Sequence, residues 1–528
     1  MIQESARNRH VRLPQIIRNL FSNYTYLGLT VAVAIFLTPI LFHYLGTENY
    51  AILVFALSIP AFFEVFDFGM TGTMTRYVSE LEARGDYSNL QGLANSIFFL
   101  LLGFGAATSA LLLIMTREVA DFFKLQNTPQ SPVYITLALV SLCVMFEPPG
   151  TVLRGYLEGC QDFHLENAVD ILTVIFRSAL IVILFVKGYG LAWVAAVFPV
   201  SSLLHFFGML AVARKATVRY SPRWIKPNLW TLKEVASFAS LTFLQSSTAR
   251  WYSQAPNFLA ARLLSLPDLA ILSVARRFPQ GISHIVESTL SVAYPIVSAA
   301  AARGERALLR KYLLISTRNI LALAVPLAMA CYLWADAILV IWIGPEVLSG
   351  VFVLRALLVY AVFASLQQIP VTLLNGIGRP RTSALLSLGT LVSGVVLGGW
   401  ACSFGTLSYF AVVFSLIQLA ATLILFHLGL KTVHLSLKTL AQVSILPVVW
   451  ASMPAGALLW CTATLLRHTL MVIVLSCAAG MLLFIAVYSR LILTPGRRTW
   501  RIWSASLLVE SKQLVASEGR RAGGDSPL

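Results

Sequence analysis

Long apolar runs, separated by short polar stretches, recur along the whole chain. Residues 97–115, 171–186 and 471–488 are examples, each about as long as the hydrocarbon core of a bilayer requires. A backbone in lipid must satisfy its own hydrogen bonds, so these runs predict helices. Fourteen spans follow, at roughly 24–44, 50–72, 93–115, 133–153, 167–186, 190–213, 236–262, 268–295, 312–342, 351–375, 383–402, 406–430, 440–463 and 469–490. Pro60, Pro199, Pro256, Pro326 and Pro370 fall inside spans. Such kinks are tolerated in membranes, where neighbouring helices re-satisfy the freed carbonyls. The pattern predicts an all-α polytopic membrane protein.

Composition agrees. Of the 528 residues 58% are hydrophobic and 12% charged, and the mean hydropathy is +0.78. The net charge of +16 does not imply a nucleic-acid partner, because the basic residues fall in short loops between spans rather than in one patch. Most of them share one side with Arg7, Arg9, Arg12 and Arg18, which by the positive-inside rule predicts both termini in the cytoplasm. Cys143, Cys160, Cys331, Cys402, Cys461 and Cys477 have no metal or disulfide spacing and read as small packing residues. No cleavable signal peptide is expected, since polar and basic residues precede the first apolar run.

The chain also repeats itself. Residues 45–56 line up with 264–275, with Ala51-Ile52-Leu53 on Ala270-Ile271-Leu272. The same offset sets Val78-Ser79 on Val297-Ser298 and Ala83-Arg84-Gly85-Asp86 on Ala302-Arg303-Gly304-Glu305. Two residues more bring Gly155 onto Gly376. Six spans per copy is an even number, so the copies are parallel, related by an axis along the membrane normal. The expected organisation is an N-terminal segment (1–22), a lobe of spans one to six (23–213), a basic cytoplasmic linker (214–235), a lobe of spans seven to twelve (236–430), two extra spans (431–492) and a cytoplasmic tail (493–528).

Tyr44-Leu45-Gly46-Thr47-Glu48-Asn49-Tyr50-Ala51, with Asp67-Phe68-Gly69-Met70 and Arg76, resembles the start of the polysaccharide transporters. These are Wzx-type flippases of lipid-linked oligosaccharides, in the MOP superfamily that also holds the MATE drug exporters and the lipid II flippases. Two six-span lobes, the linker position and a glycine after spans four and ten extend the resemblance over nearly the whole chain. The resemblance implies translocation of a polyprenyl-diphosphate-linked oligosaccharide from the cytoplasmic to the outer leaflet of a bacterial inner membrane. Alternating access would drive it, for cell-surface polysaccharide (lipopolysaccharide or exopolysaccharide) biosynthesis. It implies no cofactor. Expected partners are the lipid-linked substrate, membrane lipids, protons or sodium as driving ions, and polysaccharide assembly proteins. In span seven the family often has a Ser-Gln-Ala-Asp-like run; here Ser253-Gln254-Ala255-Pro256-Asn257 lacks the acid, so no ion-coupling carboxylate is implied there.

Ionisable groups inside spans are costly and rarely face lipid, so they are the candidates for function. Arg177, Arg250, Arg276 and Arg277 suit a diphosphate, because a guanidinium donates bidentate bonds to oxyanions. Adjacent helical residues diverge by about 100°, so Arg276 and Arg277 cannot both point into one cavity. Arg355, near a span end, reads as snorkelling to the interface. Gln254 and Asn257, in an unusually polar span seven with Gln245, Ser246, Ser247, Thr248, Trp251 and Tyr252, are candidate glycan contacts; polar interhelical packing is the alternative. Glu64, Asp67, Asp170 and Glu287 are the ion-coupling candidates. Asp170 and Arg177 lie two turns apart on one face, placed to pair through water or bracket one cavity. For all the acids, helix-holding ion pairs or caps remain the alternative, above all for Glu147 beside Pro148-Pro149.

Two other functions compete. A polysaccharide polymerase or ligase would need a catalytic set on a sizeable external loop; the longest such loop, 116–131, offers only Arg117, Glu118, Asp121 and Lys124. No P-loop, His-Glu-x-x-His or serine elbow is present, so an enzyme is not expected. An ion-coupled drug or cation exporter would want acids at mid-membrane, where this chain has mostly arginines.

Overall fold

The computed structural model describes residues 13–64, 69–125, 130–216, 218, 220–222, 229–290, 293–466 and 469–493. Among these every regular element is helical, and eleven stretches are long and apolar enough to cross a membrane. The first, Phe21–Phe63, holds spans one and two, broken at Gly46 by φ 74° and ψ 166°. Spans seven and eight fall outside the eleven for chemical reasons. Span seven, Leu229–Leu263, carries the polar run noted above. Span eight is divided into Leu266–Ala275, Arg277–Leu290 and Ala293–Ala302, and its first break falls at the two arginines. Asp67, linker residues 223–228 and the tail from 494 lie outside the described residues.

The repeat is visible in which helices touch. In the first lobe, span five (Phe163–Val186) packs on span one and on span six (Leu191–Ala213). Span three (Tyr87–Ile114) packs on the Glu147–Gly159 half of span four, which also meets span six. Six spans later the pairings recur. Span eleven (Pro380–Cys402) packs on spans seven and twelve (Leu407–Val433), and span ten (Val351–Gly376) on nine (Arg306–Leu333) and twelve. Local devices repeat too. Gly85 (φ 70°) and Gly304 (φ 69°) each end a helix in the left-handed region, which costs glycine least. The acid that follows, Asp86 or Glu305, is the N-cap of the next span.

Span two continues as Met70–Arg84 and crosses span four so closely that side chains are excluded. A Cβ on Gly155 would sit 2.6 Å from Thr71 O, and one on Gly159 would sit 2.6 Å from Val78 Cβ. In the second lobe a Cβ on Gly376 would meet Val297 Cγ1 at 2.6 Å. By contact, therefore, Gly376 takes the place of Gly159 rather than of Gly155, one turn further along span four. Close approach at small residues is how membrane helices gain packing in a solvent as apolar as their own side chains. That solvent is evident on the outer surface, where Ile114, Val186 and Leu465 are more than three-quarters exposed.

The lobes meet along span two. Ser273 Oγ lies 3.2 Å from Tyr50 Oη, Phe55 and Phe62 pack on Phe258, and Phe62 stacks on Trp251. Trp342 Nε1 donates to Ile35 O at 2.7 Å, tying the middle of span one to the second lobe. The extra spans, Leu446–Leu465 and Leu470–Leu493, pack on span nine. There Ser444 Oγ donates to Leu314 O (2.7 Å), and Trp334 packs with Leu459 and Ile473.

Candidate functional site: a polar cavity in the second lobe

A cavity of about 400 Å³ opens among spans seven, eight, ten, eleven and twelve, within the range of small-molecule sites. More than half of its lining residues carry an amide or a hydroxyl, including Gln254, Gln280, Gln367, Gln368, Gln418 and Ser365. One wall is rigid. The Tyr252 ring stacks on Phe414 with centroids 4.5 Å apart, and its other edge fills the place where a Cβ on Gly394 would be, 2.7 Å away. Gln418 Nε2 donates to Gln367 Oε1, joining spans twelve and ten. The hydroxyls of Tyr252 and Ser365 find no hydrogen-bond partner among the described residues. Buried polar atoms are nearly always paired, so these two call for a polar occupant.

Arg276 is the one basic guanidinium or ammonium group on this wall. It caps Leu266–Ala275 at the break in span eight. Its NH1 donates to Asn257 Oδ1 (2.9 Å) and its NH2 to Ser253 O. No carboxylate pairs with it among the described residues. Arg277 points elsewhere, as helical geometry requires, and its Nε is buried without a partner among the described residues. Glu287 is exposed at the cavity edge with His284 Nδ1 at 3.6 Å.

The remaining candidates do not share this cavity. Arg250 reaches across the seam to donate to Glu64 O, so it and the exposed Glu64 meet through a main-chain carbonyl. Arg177 lies against the Phe198 ring, 5.7 Å to its centroid, inside the first lobe. Asp170 does not pair with Arg177. It faces His205 Nε2 (2.8 Å) and Arg154 NH2 (3.7 Å), and Arg154 Nε also bonds Glu166 Oε1 at 3.1 Å. This cluster, with both carboxylates buried, ties spans four, five and six. Asn257 is not on the wall of this cavity; it bridges Arg276 to Ser58 of the other lobe (2.8 Å).

Sequence reasoning missed the cavity glutamines and the Arg154–Glu166–His205 set. A signal existed for the former: Gln367-Gln368 and Gln418 are polar interruptions in otherwise apolar spans ten and twelve. For the latter no linear signal exists, because the partners come from three helices.

The comparisons with known proteins agree with this architecture. Residues 16–301 match the family described as polysaccharide biosynthesis protein. A putative O-antigen transporter of Shigella flexneri is 20% identical over 390 residues, covering 71% of this chain and 88% of that protein. The lipid II flippase MurJ in an inward closed conformation superposes with a TM-score of 0.65 at 14% identity, over 88% of this chain and 99% of that one. An inward-facing multidrug resistance MATE family transporter of the MOP superfamily also scores 0.65 at 14% identity, over 79% and 95%. With a family match over more than half its length, the chain belongs to the polysaccharide biosynthesis protein family, and it shares the fold of those two polytopic membrane proteins.

Proposed function

We propose that this protein is a flippase that carries a polyprenyl-diphosphate-linked oligosaccharide from the cytoplasmic to the outer leaflet of a bacterial inner membrane, for surface polysaccharide synthesis. The observation that carries the reading is the Arg276 guanidinium, without a carboxylate partner among the described residues, in a cavity where most of the lining residues carry an amide or a hydroxyl. An arginine suits a diphosphate, and amides with an aromatic face suit sugar hydroxyls. A cationic drug would instead require facing acids, and Glu287, beside His284, is the one carboxylate among the lining residues.

The seam supports a direction for this conformation. Tyr50–Ser273 closes the end of the molecule that loop charges assign to the outside, and Trp342–Ile35 joins the lobes deeper in the seam. The cavity lies at mid-depth and toward the other end. This is the arrangement expected before a cytoplasmic substrate loads, with both termini on the cytoplasmic side.

The test is glycan export, measured at the cell surface together with protein abundance. Arg276→Ala should lower export at least tenfold while the protein accumulates normally. Arg276→Lys should restore part of it, since the charge remains and the fork is lost. Full export by a stable Arg276→Ala protein would end the diphosphate assignment.

A further inference from the structure

A buried carboxamide connects the cavity to the seam between the lobes. Asn257 Oδ1 accepts from Arg276 NH1 (2.9 Å), and Asn257 Nδ2 donates to Ser58 Oγ (2.8 Å), which belongs to span two of the first lobe. Both Asn257 and Ser58 are buried. The chemistry of the neighbours dictates which end of the amide faces which. Arginine can only donate, so it must meet the oxygen. Ser58 donates its own proton to Val54 O (2.8 Å), so its oxygen is left to accept and must meet the NH2. Reversing the amide would set donor against donor at Arg276. Aspartate would lack the donor for Ser58, and leucine would lack both groups. Around this link the seam is aromatic, with Phe55 and Phe62 on Phe258 and Phe62 on Trp251. Asn257 is therefore a direction-dependent contact within the aromatic stretch, as Arg250 on Glu64 O is at its edge.

We infer that Arg276 is a shared group: it holds Asn257 while the cavity is empty and leaves it for the oxyanion of a substrate, so that anion binding unlatches the lobes at Ser58. The inference rests on the reading of the cavity as the seat of an anionic substrate. The Arg276–Asn257 bond is charged on the donor side alone, whereas a phosphate oxygen brings the opposite charge and can accept from both arms of the guanidinium fork, so an arriving diphosphate takes the guanidinium. Asn257 Oδ1 is then buried without a donor, which is unfavourable. Relief comes when the carboxamide leaves its site, and that requires the seam at Ser58 to part. Asn257 acts through Arg276 and is a positioning residue. Binding and opening are thereby coupled, and such coupling is reciprocal: what opens the seam strengthens anion binding by the same factor.

This reverses the sign expected for a residue that merely orients Arg276. The measurement is calorimetric titration of the purified full chain in lipid nanodiscs with farnesyl diphosphate, with farnesol as the uncharged control. Asn257→Leu should bind the diphosphate about tenfold more tightly than the wild type, within the usual range of such couplings, roughly 5- to 150-fold. Ser58→Ala, a smaller change, should move affinity in the same direction, and Arg276→Gln should abolish binding. Unchanged or weaker binding by both Asn257→Leu and Ser58→Ala, with binding still lost in Arg276→Gln, would overturn the coupling and leave the anionic-substrate reading standing. No diphosphate-specific binding by the wild type, or binding unaffected by Arg276→Gln, would overturn that reading and the coupling with it.

Discussion

Arg276 and Arg277 are neighbours in the chain, yet one faces the cavity and the other, half-buried with its Nε enclosed, does not line it. The break in span eight and the helical rotation per residue separate them. Arg250, also near mid-membrane, donates to a main-chain carbonyl across the seam. Its variants should therefore differ from those of Arg276. Arg250→Ala removes a link between lobes, and its export defect should be recovered poorly by lysine, which cannot reproduce the planar fork. Paired measurements of export and abundance for Arg250→Ala and Arg250→Lys check this. Asp170 has a structural setting. Removing one partner of a fully buried ion pair costs about 3–5 kcal/mol. Asp170 is buried but Arg154 and His205 are partly exposed, so Asp170→Ala should cost no more than that, and should lower the thermal midpoint in detergent and the abundance in cells. Because Arg154 keeps Glu166, the loss should fall toward the lower end of that range. A stable Asp170→Ala protein that fails only in transport would favour the ion-coupling role instead.

At the scale of elements, the crossings of span two on four and span eight on ten decide how tightly each lobe closes. At Gly155 the obstacle to a side chain is a backbone oxygen, which cannot rotate away. Gly155→Ala should destabilise by roughly 1–3 kcal/mol, the usual cost of overpacking, read as a lower midpoint in detergent. Gly103→Ala, with nothing within 4 Å of the added carbon, is the matched control and should leave the midpoint nearly unchanged. Equal midpoints for the two would show that the helices separate without cost. Where two equivalent elements differ, the chemistry explains it. Asp86 accepts from Asn89 N (3.2 Å), whereas Glu305, one methylene longer, makes no such cap bond.

For the whole molecule, orientation is the least expensive property to test. Reporter fusions at Gly188 and Ser349 should read as external and a fusion at Arg219 as internal; an external signal at Arg219 would invert the assignment and the closed end with it. The tail, read from sequence as an interfacial segment around Arg497, Arg498, Trp500, Arg501 and Trp503 followed by a polar end, lies outside the described residues. Deleting 517–528 should leave glycan export intact, and complete loss would assign the tail a role.

Membrane residence, the number of spans and the parallel repeat were all determined by the linear pattern. Each depends on local quantities: apolar length against bilayer thickness, the polarity of loops, and identities at one offset such as Gly85 with Gly304. The in-span charges were legible as well, because an ionisable group in an apolar run is conspicuous wherever it ends up. Their partners were not. Asp170 is two turns from Arg177 on one helix, yet Arg154 and His205 from spans four and six occupy it. Likewise Gln367 and Gln418 became cavity walls, and Asn257 a bridge to Ser58, only when distant helices converged. Periodicity reports which face of a helix is polar; which neighbour that face meets is set by helix crossings, and those arise from close packing across the whole bundle.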